Sequence, residues 1–223
     1  METIKKNRGL MQFLGIALFV QAVTSLIGGS IFLGPFDSSE ITDLTLRSIS
    51  DSAGTAYISI LLQMITAVVI IMLGVAMYRA AGHINKTIAI TALSLYIFEA
   101  ALLAVGQVFV FGLVEVGHLY SASLDSNLLA LGKVFLTCRE FAGQIAMIPF
   151  GIGAILFYYL LLKAKVVPKW LALWGIVTVP FILIGCTLMA FGIAVPFFLL
   201  IPYVPFEFFT GIYIIIKNRK SYA

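Results

Sequence analysis

Long apolar runs, separated by short clusters of polar and basic residues, set the pattern of this chain. Six runs stand out, at about residues 9–34, 55–78, 87–113, 141–162, 170–192 and 196–216. Each approaches or exceeds the roughly 20 residues that a helix needs to cross a hydrocarbon core about 30 Å thick. Lipid offers no partner for backbone N–H and C=O groups, so only helices or a closed barrel can cross it. Barrel strands would alternate polar and apolar residues with period two. These runs are continuous, which predicts helices. The fold class read from the pattern is all-α: an integral membrane bundle of six transmembrane helices in one polytopic domain spanning 1–223. Lys5, Lys6 and Arg8 ahead of the first run resemble the basic start of a signal peptide, but the apolar stretch is too long and lacks an A-x-A cleavage pattern. It reads as a retained span.

Composition supports a lipid solvent. Of 223 residues, 61% are hydrophobic and 11% charged, against about 45–50% and 25% in soluble domains. The net charge of +4 is distributed asymmetrically. Lys5, Lys6, Arg8, Arg79, Lys86, Lys163, Lys165, Lys169, Lys217, Arg219 and Lys220 all fall on one side of a six-span arrangement. The other side has Arg47, and Lys133 and Arg139 near its edge, with Asp37, Glu40, Asp43, Asp51, Glu115 and Asp125. By the positive-inside rule both termini are expected in the cytoplasm. These basic residues form collars at helix ends, with no aromatics interleaved for base stacking, so nucleic acid is not an expected partner.

The connections are short apart from two. In residues 34–54, Ile41, Leu44, Leu46 and Ile49 have the spacing of a short amphipathic helix lying on the outer surface. In the second, a helical pattern starts near Asp125, with Asp125 or Ser126 as its cap, and either stops before span four or continues into it. Trp170 and Trp174 fit an interfacial aromatic belt beside Lys169. Pro202 and Pro205, on either side of Tyr203, are expected to bend or open the sixth helix.

The candidate chemistry lies in a few polar groups inside these runs. Glu99 lies thirteen residues from Lys86, so it sits about 20 Å above the basic collar. Glu207, ten residues before Lys217, sits about 15 Å above it. Each carboxylate would cost about 2.5–3.5 kcal/mol if it faced lipid as an anion. Both are therefore expected to face the bundle interior, protonated or paired. Tyr203, Glu207 and Thr210 share a helical face, as do Lys133, Thr137, Glu140 and Gln144 on the fourth span. Arg139, about 36 Å from Lys163 along the helix, is expected to reach inward to Glu99 or Glu207. The expected site is an internal polar cluster of Glu99, Arg139, Glu140, Gln144, Tyr203 and Glu207. Gln63 and Gln107 are near enough in depth to join it. Phe98–Glu99 and Phe206–Glu207 repeat a dipeptide in the third span of each half, as in an inverted-repeat transporter.

Known catalytic signatures are missing: there is no HExxH, Walker loop, GxSxG or complete GxGxxG. His83 and His118 fall at opposite membrane faces, so no metal site is expected, and no cofactor. Cys138 and Cys186 have no CxxC spacing and read as small apolar residues among helices. An acid–base role for Glu99 and Glu207 is the remaining enzymatic reading. The residues favour a non-catalytic membrane protein whose polar cluster holds helices together, a normal use of such groups in bilayers. The alternative is a small-solute or proton-linked transporter using Glu99 and Glu207. A water-lined cavity reaching Glu99 would favour transport, and a dry, fully paired cluster the structural role.

The stretch "VVPKWLALWG" at Val166–Gly175, followed by an apolar span, resembles the C-terminal signature of an uncharacterised bacterial membrane family, the domain of unknown function 4386. "IFEA" around Glu99, "CRE" at Arg139 and Glu140, and Pro202 followed by Glu207 are similar to features of the same family. The resemblance implies six spans, a bacterial plasma membrane location and no particular activity. The bilayer is the expected partner, together with an unidentified membrane partner or small solute.

Overall fold

The computed structural model describes residues 2–33 and 41–219. Residues 34–40, with Asp37 and Glu40, and the basic residue Lys220 lie outside this description. The described chain is helical: α1 (Glu2–Leu33), α2 (Asp43–Asp51), α3 (Ala53–Ala81), α4 (Lys86–Ser123), α5 (Asn127–Lys163), α6 (Lys169–Ala190) and α7 (Tyr203–Arg219), with a 3-10 turn at Phe197–Leu199 before α7. No strand occurs among the described residues. Segments of α1, α3, α4, α5 and α6 are long and apolar enough to cross a membrane.

The sixth apolar run departs from expectation. Its helix starts only at Tyr203 and has 17 residues, about 25 Å, short of the hydrocarbon thickness. Pro202 and Pro205 explain the late start. Proline has no N–H to give an earlier turn, but fits the first turn, where that N–H would be unpaired anyway. The two prolines therefore begin the helix rather than bend it. The Pro202 carbonyl instead accepts the indole N–H of Trp174 at 3.1 Å. Trp174 is thus a link between α6 and α7 as well as a belt residue, and stacks on exposed Trp170 with ring centroids 6.5 Å apart.

α4 and α5 resolve the other open point. Asp125 accepts from the Asn127 amide at 2.9 Å, after which α5 runs unbroken to Lys163. α4 has 38 residues, about 57 Å, so the two form a hairpin far longer than a bilayer is thick. α2 packs against the hairpin's far end. Its capping box pairs Thr42 with Thr45, and Leu46 and Ile49 are fully covered in a cluster with Val110, Leu113, Val114 and Tyr120. The apolar face of α2 thus rests mainly on protein, with Leu44 left exposed. The reason is Gly117 and Gly132, whose missing side chains let α2 approach α4 and α5 closely.

The long helices close into a ring in the order α1, α3, α4, α5, α6, α7, with α7 returning to α1. Neighbours run antiparallel. On α1 and α7, Gly15 meets Gly211 and Ile214, and Phe19 meets Phe208 edge-on at 6.0 Å. Small and hydroxyl residues bring α1 and α3 together: Ser59 donates to the Gly28 carbonyl at 2.6 Å and Thr66 to Thr24 at 2.7 Å. At the opposite end from α2, the Lys217 ammonium donates to the Val166 carbonyl at 3.1 Å. The end of α7 therefore meets the basic α5–α6 connection.

Candidate functional site

Two cavities are stacked inside the ring. The inner one is lined by Leu18 and Gln21 of α1, Ile70 and Leu73 of α3, Tyr96 and Glu99 of α4, Phe150 and Tyr158 of α5, and Glu207 of α7. Its volume is about 10 Å³, space for roughly one water molecule. Helix periodicity explains this convergence. Tyr96 and Glu99 are three residues apart on one face of α4 and turn away from lipid together, whereas Phe98 beside them is exposed.

Glu99 is 3% exposed, and its Oε2 has no hydrogen-bond partner among the described residues. Glu207 has a different environment. Its Oε1 accepts from the Tyr203 hydroxyl at 2.6 Å, and the Gln21 amide is a further side-chain partner. The Tyr203 oxygen is 2.7 Å from the Tyr158 hydroxyl. Tyr203 has one proton and gives it to Glu207, so Tyr158 must donate to Tyr203. One carboxyl is thus supplied with donors and the facing one is left without. Thr210, one turn beyond Glu207, is also fully buried, with no partner for its hydroxyl among the described residues.

The outer cavity is larger, about 470 Å³. It is lined by Ser25 of α1, Gln63 of α3, Gln107 of α4, Arg139, Glu140 and Gln144 of α5, and Cys186 of α6, among others. The expected single cluster is therefore divided. Glu99 and Glu207 line the inner cavity, with Tyr203 bonded to Glu207. Arg139, Glu140 and Gln144 line the outer one, together with Gln63 and Gln107. Arg139 does not line the cavity around Glu99. Its depth on α5 brings it level with the second half of α4, and its charge interacts with neighbouring Glu140. Lys133 and Thr137, on the Glu140 stripe, are exposed.

Sequence reasoning missed Gln21, Tyr96 and Tyr158. Gln21 was the one readable signal, a carboxamide in mid-span that must find a partner. The tyrosines resemble any other aromatic in an apolar run. The repeated Phe-Glu dipeptide does not mark equivalent halves: Phe98 is exposed and Phe206 is buried against Tyr158 with centroids 4.8 Å apart. His83 precedes α4 and His118 lies near its far end, so they stand about 50 Å apart along the helix. Among the described residues, no group of His, Cys, Asp and Glu side chains could hold a metal.

Apolar crossing helices enclosing carboxyl groups and amides define a helical membrane protein. The chain belongs to the family described as a domain of unknown function (DUF4386), whose model matches residues 13–218. No curated protein and no solved structure matches it.

Proposed function

We propose that this is a six-span protein of the bacterial plasma membrane that couples proton movement to that of a small solute, with Glu99 as the proton carrier. The observation that carries the reading is the buried Glu99 carboxyl, its Oε2 unpartnered, facing Glu207 across a cavity of one-water size. Two bare anions there would repel each other and forgo hydration. A single proton relieves both. Glu207 already receives hydrogen bonds from Tyr203 and Gln21, so the proton belongs on Glu99, which can then donate.

A purely adhesive role fits less well. Adhesive groups in this protein look like Thr66 and Ser59, each bonded across a helix interface, whereas an unmade bond at a buried carboxyl costs about 1–3 kcal/mol. Space of about 10 Å³ also leaves no room for an organic substrate beside Glu99, which argues against acid–base enzymology.

The topology rests on the same geometry. α7 lies antiparallel to α1 and ends beside Val166, and the irregular segment before it extends the sixth crossing. Both ends and the basic connections then share one face, which the positive-inside rule makes cytoplasmic.

Infrared pH titration of the purified full-length protein in lipid tests the proton carrier. A carboxylic-acid band that titrates, and that disappears in Glu99→Gln while thermal stability is retained, is the expected result. A spectrum unchanged by Glu99→Gln, or a Glu99 band that does not titrate at any pH at which the protein stays folded, would overturn it.

A further inference from the structure

At the end of the ring opposite α2, α1 and α3 leave a groove of about 340 Å³ between them. It is lined by Gly9, Leu10 and Phe13 of α1 and by Val75, Ala76 and Arg79 of α3. The antiparallel pairing that sets Thr24 beside Thr66 brings Gly9 roughly level with Arg79, and Phe13 with Val75 and Ala76. Gly9 keeps the groove open. The places of side chains at Gly15 and Gly28 on the same helix are taken by neighbouring helices, whereas nothing lies within 4 Å of where a Gly9 side chain would begin. Arg79 is exposed and makes no ion pair among the described residues. Phe13 and Val75, each one turn further into the apolar run, are exposed as well. The groove thus has a cation at its mouth and apolar walls about 6 Å deeper.

Charge and depth select the occupant. A guanidinium pairs well with phosphate, and basic pockets between crossing helices suit lipid headgroups. A free phosphate would use Arg79 and leave the apolar walls uncovered. A zwitterionic lipid would bring an ammonium that finds no counter-charge: apart from Glu2, residues 1–12, 78–88, 160–170 and 213–223, which form this end, contain no Asp or Glu. A second copy docking by the same face would set Arg79 against Arg79. We propose that the groove between α1 and α3 holds an anionic phospholipid, its phosphate on Arg79 and an acyl chain along Phe13 and Val75.

The groove shares no lining residue with either cavity inside the ring, so the lipid site stands independently of the proton reading. Its position has a consequence for stability. The same two helices carry Gln21 and Ile70 into the inner cavity, and a lipid seated on their seam binds the assembled pair but not the separated helices. Such a ligand stabilises the fold by mass action.

Native mass spectrometry of the full-length protein, stripped of lipid in detergent and titrated with phosphatidylglycerol, tests the site. One phosphatidylglycerol should bind saturably and ahead of phosphatidylcholine with the same chains, and glycerol phosphate should not displace it. Arg79→Gln should raise the half-saturating concentration about fivefold, the loss expected for one cation near a membrane surface. Gly9→Leu fills the groove but keeps the charge, and should weaken binding by a similar factor. Lys165→Gln, exposed on the α5–α6 connection at the same end, should leave binding unchanged. Gly9 and Arg79 are both exposed, so both variants should melt like wild type without lipid, while the rise in melting temperature caused by phosphatidylglycerol should shrink. Equal binding of phosphatidylcholine, displacement by glycerol phosphate, an equal loss in Lys165→Gln, or wild-type affinity in Arg79→Gln or Gly9→Leu would overturn the assignment. A dimer in place of the lipid adduct would overturn it in favour of a second copy.

Discussion

Gln21 and Ser25 stand one turn apart on α1 and look into different cavities. That single turn separates a space of one-water size lined by two carboxyls from a far larger one lined by charged residues and amides. The division depends on the inward-facing stripes of α1, α4 and α5, each of which passes from one cavity to the other. Polar residues scattered over five helices thereby become two sites with different chemistry.

The tyrosine chain gives the first prediction. Tyr203→Phe removes the donor to Glu207 and the acceptor for Tyr158, leaving a buried hydroxyl and a buried carboxyl short of partners. It should destabilise the detergent-solubilised protein by about 1–3 kcal/mol. Adding Tyr158→Phe should recover part of that loss, because the orphaned hydroxyl goes with it. Thermal or chemical denaturation of the two single variants and the double variant checks this; simple additivity would argue against the chain.

Gly175 gives a packing prediction. A methyl group there would run into the Phe206 ring and lie 2.8 Å from Tyr158, both buried. Gly175→Ala should lower stability by about 1–3 kcal/mol through overpacking. An additional Phe206→Leu substitution, which makes room, should reduce the penalty in the same melting assay.

The α2 cap offers a separate measurement. Leu46 is fully buried between Gly117 and Gly132, so Leu46→Ala should cost about 2–5 kcal/mol locally. Limited proteolysis should then cut near α2 while α5 and α6 stay protected. Uniform protection in the variant would mean that α2 does not depend on this anchor.

Asp43 supplies the pH dependence. Hydrogen bonds from Arg47, at 2.9 Å, and from Tyr120 hold its carboxyl below the usual carboxylate range. A carboxyl with a lowered folded value stabilises the fold above its unfolded value, about 3.9, and loses that contribution as pH falls through the folded value. The pair is exposed, so the effect is small and screened by salt. Melts of wild type and Asp43→Asn should differ slightly at neutral pH and low salt, and converge as the pH falls through the lowered folded value.

Topology completes the set. Reporter fusions after Lys86, Lys165 and Ala223 should all report cytoplasm, and one at Ser50 the outside. An external signal from any of the first three would break the six-span reading, with the fusion at Ala223 testing α7 directly.

The sequence by itself determined the solvent and the helices. Unbroken apolar runs admit one backbone solution in lipid, and a rise of about 1.5 Å per residue placed Glu99 and Glu207 at similar depth before any contact was known. It did not determine which polar groups meet. Depth put Arg139 about 16 Å beyond Glu99, so that only a tilted helix would let the two meet. Which cavity each side chain enters depends on helix rotation and on which neighbours close the ring, and an apolar run carries little periodic signal for rotation because lipid and core are equally apolar. Only the tertiary structure set Tyr158 beside Tyr203, left Glu99 without a donor, and moved Arg139 and Glu140 to a cavity of their own. The short α7 falls between the two. Pro202 and Pro205 were legible as helix breakers, but that Trp174 of α6 stands close enough to donate to the Pro202 carbonyl at this helix start was set by the tertiary structure.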